Sequence, residues 1–316
     1  MFVEPQPCWH EFGGGPLDAG ETQALIQMQR KLRAERLRGN LRDVRGWVAQ
    51  GALSERVVRN AQGVGLFVAH EVLERPGIVS VGDTFDPFLT RYKEVLELLP
   101  DDHLANEWRW ARVSGSCFLI APDRVISAAH TIGKTALNLI EKGEFHVVFD
   151  FQTPPAPQAP AVMSKRRSVF TVVAVDHGGE YQSPGTDWIT LKLDRPVGAD
   201  RRPLRIARAP LEGSREVYAL GHPKAIAMRY ARSRDIWPSA FAGCHEAHLD
   251  AYDGVSGAPV LDAETHLVVG MLIRSCPNKE GQVLTHQNLF LSPVCYRDDR
   301  KCGAVIVTAP QFAAVV

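Results

Sequence analysis

The stretch from Asp250 to Leu261 has the clearest capacity for chemistry in this chain. Ser256 has a glycine two positions before it, Gly254, and another directly after it, Gly257. Glycine permits backbone angles that other residues avoid, so this composition predicts a tight, exposed turn that leads into a strand. Such a turn can point the main-chain N–H groups of Gly254 and Ser256 at one spot, which a developing oxyanion requires.

A serine hydroxyl becomes a good nucleophile when a histidine accepts its proton and a carboxylate orients that histidine. The chain offers both groups upstream of the serine. His130 follows an apolar, β-branched strand, and Asp187 precedes an alternating strand that begins at Ile189. We therefore predict His130 as the base, Asp187 as the orienting acid and Ser256 as the nucleophile, with Gly254 and Ser256 supplying the oxyanion hole.

Four segments carry the motifs of one enzyme family. Residues 115–130 match its G-S-G-F-L-I-A-P-D pattern ending in A-A-H, residues 187–193 its D-(I/W)-A-L-L-K-L pattern, and residues 254–260 its G-N-S-G-(G/S)-P-V pattern. Residues 220–223 supply a fourth match, a turn early in the second half. In this order the segments resemble the trypsin/chymotrypsin-like serine endopeptidases, with a nearer likeness to the bacterial branch around the glutamyl endopeptidases.

The resemblance implies a mainly β fold, a trypsin-like double β-barrel of two six-stranded Greek-key barrels. The base and acid would lie on the first barrel and the nucleophile on the second. It also implies peptide-bond hydrolysis through an acyl-enzyme, without a metal or an organic cofactor. We predict a protease domain over residues 106–316, with barrel one at about 106–200 and barrel two at about 201–316.

Residues 1–105 lie outside the resemblance and show helical patterns. Apolar residues recur at helical spacing over 25–48, with a break near Gly39. A second helix is predicted from an N-cap at Ser54 toward Glu74, with Gly63 and Gly65 interrupting its middle, and a third over about 86–99. We predict a mainly helical N-terminal segment with a regulatory or docking role.

Charge and hydropathy narrow the range of partners. Lys plus Arg and Asp plus Glu both number 36, so the chain has no net charge that would favour nucleic acid or an anionic membrane. The sequence shows neither an apolar run of membrane-spanning length nor a secretory signal at its start. The expected partner is a protein or peptide substrate, and the oligomeric state stays open.

The cysteines favour a reducing compartment. The six cysteines, at positions 8, 117, 244, 276, 295 and 302, form no C-x-x-C pair. Secreted trypsins carry a disulfide cysteine directly after the catalytic histidine, where this chain has Thr131. We predict reduced cysteines and a cytoplasmic location, although a bridge among positions 276, 295 and 302 is an alternative in an oxidising setting.

Three departures from the family bear on activity. Val255 stands where animal trypsins have the aspartate that pairs with a newly cut N-terminus, so that activation route is absent. Ile273 stands where many members have a serine that supports the catalytic aspartate. Cys117 replaces a glycine near the base and is interpreted as a small core residue.

The residues expected to bind substrate do not agree on one specificity. The resemblance places Asp250, Ile273, Arg274 and Ser275 along the pocket for the residue before the scissile bond. Asp250 favours a basic residue there, whereas Arg274 favours an acidic one or neutralises Asp250. His222 and His248 add to the acidic alternative, and a small or apolar residue is a third.

Two further readings of function stay open from the sequence. The chain could be a catalytically silent barrel that binds peptides, with the N-terminal segment as an interaction module. A helical segment joined to a trypsin-like domain also resembles bacterial stress- or phage-defence proteases that cut one dedicated effector protein. Nothing in these residues identifies that effector.

Overall fold

The computed structural model describes most of the chain from residue 54 onward. The described residues are 19, 20, 23, 27, 42–43, 54–69, 80–81, 84–85, 89–91, 108–110, 113–151, 163–178, 183–209, 211, 215–225, 227–234, 236–249, 251, 254–274, 283–284, 290–291 and 303–315. Within them, no helix is both long enough and apolar enough to cross a membrane.

The described secondary structure consists mainly of strands. In the first half of the chain they are β1 (Arg42–Asp43), β2 (Val64–Ala69), β3 (Ser80–Val81), β4 (Thr84–Phe85), β5 (Leu89–Arg91), β6 (Trp108–Trp110), β7 (Val113–Ala121), β8 (Arg124–Ser127), β9 (Phe145–Val148), β10 (Met163–Ser164), β11 (Val169–Gly178) and β12 (Ile189–Leu193). In the second half they are β13 (Val217–Gly221), β14 (Arg229–Ser233), β15 (Ile236–Pro238), β16 (Cys244–Ala247), β17 (Pro259–Asp262), β18 (Val268–Arg274), β19 (Val283–Leu284), β20 (Phe290–Leu291) and β21 (Ala304–Thr308).

The helices whose residues are all described are short and lie between the strands. These α-helices are α1 (Glu55–Ala61), α2 (Lys134–Glu141) and α3 (Lys165–Ser168), and the described 3-10 turns are Ala129–Thr131, Pro184–Thr186, Pro223–Ala225, Ala309–Gln311 and Ala313–Val315. The prediction of a mainly β protein is therefore confirmed.

The first barrel is a closed sheet of six strands in the order β11, β12, β8, β7, β2, β9. Neighbouring strands run antiparallel. Apolar side chains that include Phe67, Phe149 and Leu191 are fully buried in its interior. Closure leaves no free edge, which removes the unpaired main-chain groups that an open sheet exposes.

The first barrel starts earlier in the chain than predicted, at strand β2. Helix α1 begins after the predicted N-cap, where the Ser54 hydroxyl accepts from the Val57 N–H at 3.4 Å, but it ends at Ala61 and does not continue toward Glu74. Residues 64–69 pair with β7 on one side and β9 on the other. The first barrel therefore begins near residue 64, and the boundary at about 106 is wrong because β2 completes the closure.

Two other stretches predicted as helical contain extended residues. Strand β1 pairs with Arg229 and Tyr230 of β14, and β5 pairs with β6. Their hydrogen-bonding partners lie well apart from them in sequence, and local periodicity does not reveal such partners. The described positions 19, 20, 23 and 27 are helical.

The second barrel-like sheet has eight strands in the order β1, β14, β13, β17, β18, β21, β16, β15. The prediction of two barrel-like sheets is confirmed. In the described part of the chain the second sheet is not closed as a six-stranded barrel, because the outer edge of β14 pairs with β1 while β15 pairs with β16.

One buried apolar cluster joins the two sheets. It contains Phe118 from the first barrel, and Met271 and Val307 from the second sheet. Val57 and Ala61 of α1 belong to the same cluster and are at most 5% exposed. Helix α1 therefore packs as part of the two-barrel body, although it precedes the predicted domain boundary.

Candidate active site

Two adjacent strands of the first barrel bring His130 and Asp187 to the same end of the sheet. His130 lies in the 3-10 turn after β8, and Asp187 is the C-cap of the 3-10 turn that precedes β12. These strands are antiparallel neighbours in which Ile189 pairs with Ser127. Because the end of β8 lies beside the start of β12, the two side chains meet.

The His130 imidazole lies between the Asp187 carboxylate and the Ser256 hydroxyl. Its Nδ1 is 2.7 Å from Asp187 Oδ2, and its Nε2 is 3.0 Å from Ser256 Oγ. The main-chain N–H of His130 also donates to Asp187 Oδ1 at 2.9 Å. The structure thus brings together the three side chains that the sequence singled out.

Asp187 and His130 lie in different surroundings. The Asp187 side chain is 4% exposed, whereas that of His130 is 39% exposed. The buried carboxylate accepts hydrogen bonds on both oxygens, and such bonds are what a desolvated charge requires. A carboxylate at Nδ1 favours the tautomer that leaves Nε2 free to accept the proton of Ser256.

The turn that carries Ser256 depends on its two glycines. Gly254 and Gly257 have φ values of +90° and +89°, a region that side chains with a Cβ rarely adopt. A Cβ on Gly257 would also collide with the Ser116 carbonyl and the Ser127 hydroxyl. The N–H of Gly257 donates to the Leu272 carbonyl at 2.7 Å, which ties the turn to β18.

Ser116 is a contact of this turn that the sequence analysis did not identify. Its main-chain N–H donates to the Ser256 carbonyl at 2.8 Å, and its hydroxyl donates to the Gly254 carbonyl at 2.8 Å. The available signal was a small polar residue directly after Gly115 in the first motif. Nothing in that motif shows which loop the hydroxyl would meet.

The amides predicted for the oxyanion hole keep their hydrogen-bonding capacity. Among the described residues, neither the Gly254 N–H nor the Ser256 N–H donates to another main-chain group. Unengaged N–H groups in a glycine turn are suited to bind an anion.

The predicted substrate-binding residues are only partly described. Asp250 and Ser275 lie outside the described residues. Ile273 is 4% exposed within the apolar cluster between the sheets, so it presents almost no surface to a substrate. Arg274 is partly exposed, with its guanidinium carbon 5.7 Å from the centre of the Phe241 ring.

The two histidines considered for specificity pack against aromatic rings. His222 is fully buried, and its ring stacks on Phe151 with centroids 5.9 Å apart. The His248 ring lies 4.7 Å from that of Trp237. Burial of His222 leaves it no surface for a substrate side chain.

The described cysteines are free thiols in buried positions. Burial raises the pKa of Cys117 far above its usual range, in keeping with a core residue of the first barrel. Burial, together with the negative charge of Asp187, raises the pKa of Cys244 to about 11. Both thiols are therefore protonated near neutral pH.

No three His, Cys, Asp or Glu side chains converge as a metal site within the described ranges.

The sequence matches a known domain over about half of its length. Residues 115–271 match the family model described as a trypsin-like peptidase domain. That interval contains His130, Asp187 and Ser256. No protein of curated function matches the chain in sequence.

Several solved structures are similar to this chain at low identity. The active form of the Rv3671c protease from M. tuberculosis is 18% identical, with 82% of each chain covered and a TM-score of 0.41. A Glu endopeptidase in complex with MPD is 10% identical, with 88% of this chain and 95% of that chain covered and a TM-score of 0.48. Neuropsin, a serine protease of mouse brain, is 11% identical, with 65% and 87% covered and a TM-score of 0.44.

Proposed function

We propose, on the premise that residues 115–271 are a trypsin-like peptidase domain and the chain therefore a serine endopeptidase, that His130, Asp187 and Ser256 carry out the hydrolysis. The observation that carries this assignment is the 3.0 Å separation of His130 Nε2 from Ser256 Oγ, with Asp187 on the other ring nitrogen. This arrangement supplies a nucleophile, a base and an orienting group that are connected by consecutive hydrogen bonds.

The first half of the reaction forms an acyl-enzyme. Ser256 Oγ attacks the carbonyl carbon of the scissile peptide bond while His130 Nε2 accepts the hydroxyl proton. The tetrahedral intermediate then collapses, the C–N bond breaks, and His130 returns the proton to the leaving amine. The substrate's acyl group stays on Ser256 as an ester.

Water completes the cycle. His130 Nε2 takes a proton from water as the oxygen attacks the ester carbon, and the proton returns to Ser256 Oγ when the ester bond breaks. Asp187 stabilises the positively charged imidazolium in both halves through its bond to Nδ1. The N–H groups of Gly254 and Ser256 would stabilise the negative oxygen of each tetrahedral intermediate.

The residue recognised before the scissile bond stays a proposal with three alternatives. A basic residue would be selected by Asp250, an acidic one by Arg274, and a small or apolar one by neither. Arg274 is partly exposed, as a side chain that selects an acidic residue has to be. A peptide-library cleavage profile of the wild-type chain, repeated with Arg274→Ala, separates these alternatives.

The N-terminal region is proposed to regulate or dock, but only in the part that precedes α1. Helix α1 and strand β2 belong to the two-barrel body, since Val57 and Ala61 are buried in the shared cluster and β2 lies between β7 and β9. The two residues of strand β1 pair with β14, and this contact with the second sheet supports a docking role. A single dedicated effector protein as substrate stays part of this proposal.

A cytoplasmic location also stays a proposal, as does a bacterial origin. The free thiols of Cys117 and Cys244 support a reducing environment.

Labelling with a fluorophosphonate tests the proposed activity directly. Such a probe reacts with a serine only when a neighbouring base activates it, so the wild-type chain should be labelled at Ser256 in a one-to-one ratio. Ser256→Ala and His130→Ala should lose both labelling and hydrolysis. His177→Ala, at an exposed histidine of β11, is the matched control and should keep both.

The same measurements distinguish a peptidase from a catalytically silent barrel that binds peptides. A folded wild-type chain that binds peptides but neither reacts with the probe nor hydrolyses any member of a diverse peptide library would be a silent binding barrel. Full hydrolytic activity in purified Ser256→Ala would show that another group is the nucleophile.

A further inference from the structure

The Ser116 hydroxyl is fully buried where the first barrel meets the second sheet. It donates to the Gly254 carbonyl at 2.8 Å and accepts from the His222 N–H at 3.0 Å. Ser116 belongs to β7, whereas both of its partners belong to the second half of the chain. One side chain of the first barrel therefore bridges two separate segments that lead into or out of strands of the second sheet.

The main chain of Ser116 contacts the same turn at a second point. Its N–H donates to the Ser256 carbonyl at 2.8 Å. The carbonyls of Gly254 and Ser256 flank the peptide group that carries the Ser256 N–H. Ser116 therefore holds the turn on both sides of that peptide group.

Ser116 is itself held in place. Its carbonyl accepts from the Ser127 hydroxyl at 2.7 Å. The missing Cβ of Gly257 leaves the room in which the Ser116 carbonyl and the Ser127 hydroxyl lie. Since the N–H, the carbonyl and the hydroxyl of Ser116 all have partners, the residue presents a fixed pair of hydrogen-bond donors to the turn.

We infer that Ser116 is a positioning residue for the proposed peptidase reaction, which keeps the turn in the conformation that aims the Ser256 hydroxyl and N–H at the substrate. The inference rests on the proposed function. Glycine rotates with little steric resistance, so the backbone at Gly254 has no restraint of its own against turning away. The bond from the Ser116 hydroxyl to the Gly254 carbonyl supplies that restraint.

This role predicts a specific kinetic effect. Loss of the hydroxyl would leave His130, Asp187 and Ser256 in place but free the backbone that directs the oxyanion donors. Removal of a whole oxyanion donor lowers kcat by about 10²–10³-fold, so loss of its support should lower kcat by about 10–100-fold. The KM should stay within about twofold, because these donors act mainly in the transition state.

Ser116→Ala tests the inference, with Ser168→Ala as the matched control. Ser168 is also a buried serine, the last residue of α3 directly before β11, and its hydroxyl donates to Asp150 and not to the turn. For each full-length variant we would measure kcat, KM, the affinity for a peptide aldehyde that mimics the tetrahedral intermediate, and the thermal unfolding midpoint. Ser116→Ala should lose aldehyde affinity by the same factor as kcat, and Ser168→Ala should lose neither.

Defined results would overturn the inference. Wild-type kcat and aldehyde affinity in Ser116→Ala would do so, as would a change confined to KM or an equal loss in Ser168→Ala. If Ser116→Ala does not fold at the assay temperature, Ser116→Cys keeps a small side chain with a much weaker hydrogen bond and is held to the same criteria. A wild-type chain that neither hydrolyses peptides nor reacts with fluorophosphonate would instead overturn the proposed function.

Discussion

His130 contacts Asp187 twice, through its ring and through its own main chain. The ring nitrogen Nδ1 lies 2.7 Å from Oδ2, and the main-chain N–H donates to Oδ1 at 2.9 Å. The second bond holds the carboxylate in a fixed orientation. It also supplies one of the donors that this buried carboxylate needs.

Replacement of that carboxylate should remove most of the activity without unfolding the chain. In Asp187→Asn the amide can still accept from the His130 N–H, but it favours the wrong imidazole tautomer. We expect kcat to fall by about 10³–10⁴-fold. Steady-state kinetics check this. Asp176→Asn, which breaks the partly exposed ion pair of Asp176 with Arg124 at 2.6 Å, is the control and should keep wild-type kcat. A loss below tenfold in Asp187→Asn would contradict the assigned role.

Gly257 should tolerate no side chain. At a φ of +89°, alanine costs about 1–2 kcal/mol in backbone strain, and its Cβ would also push the Ser116 carbonyl away. Because the collision adds to the strain, Gly257→Ala should lower the free energy of unfolding by more than about 2 kcal/mol and remove hydrolysis. Denaturant unfolding measures the first effect.

Gly133 provides the control for that measurement. It lies in open space before α2 with a φ of −78°, so Gly133→Ala should change stability by less than about 0.5 kcal/mol. Equal effects at the two glycines would remove the argument from close packing at Gly257.

Truncation should distinguish the residues that precede α1 from the barrel itself. Strand β2 contains Leu66, Phe67 and Val68, all fully buried, and each buried side chain of this kind contributes about 1.5–3 kcal/mol. That total is comparable to the whole stability of a typical domain. A chain that begins at residue 71 should therefore not fold, as circular dichroism would show.

A chain that begins at residue 51 keeps α1 and β2 and should fold. If the preceding residues restrict access to the site, this shorter chain should hydrolyse peptides faster than the full chain. An unchanged rate would leave docking as the role of those residues. A folded, active chain that begins at residue 71 would contradict the place of β2 in the barrel.

Cys244 should make stability decrease in alkaline solution. Its pKa rises from an ordinary value of 9.0 to about 11 in the folded chain, so the unfolded chain loses the thiol proton first. The stabilisation is complete below about pH 9 and is lost as the pH rises toward 11. Unfolding midpoints from pH 8 to 11 should fall less steeply in Cys244→Ala than in the wild type. Identical slopes would contradict the burial argument.

Much of the chemistry could be predicted from local sequence. The motifs around His130, Asp187 and Ser256 are short, because each is set by what a strand end or a tight turn requires of a few neighbouring residues. The glycines beside Ser256 predicted a turn with unusual backbone angles, and both adopt positive φ values. Alternating apolar residues predicted strands such as β12, since that pattern depends only on which face is buried.

Pairing across the chain could not be predicted in the same way. Apolar residues of 64–69 are compatible with either a helix or a buried strand, and their state is decided by β7 and β9, which supply the main-chain partners. The contact of the Ser116 hydroxyl with the Gly254 carbonyl joins positions 138 apart in sequence.

The sequence by itself determined the fold class and the residue types that can act on a peptide bond, because these depend on local composition and spacing. Only the tertiary structure decided which strand completes the first barrel, and that a serine of that barrel holds the turn of the nucleophile. Both depend on hydrogen bonds between distant segments, and no local pattern encodes the partner of such a bond.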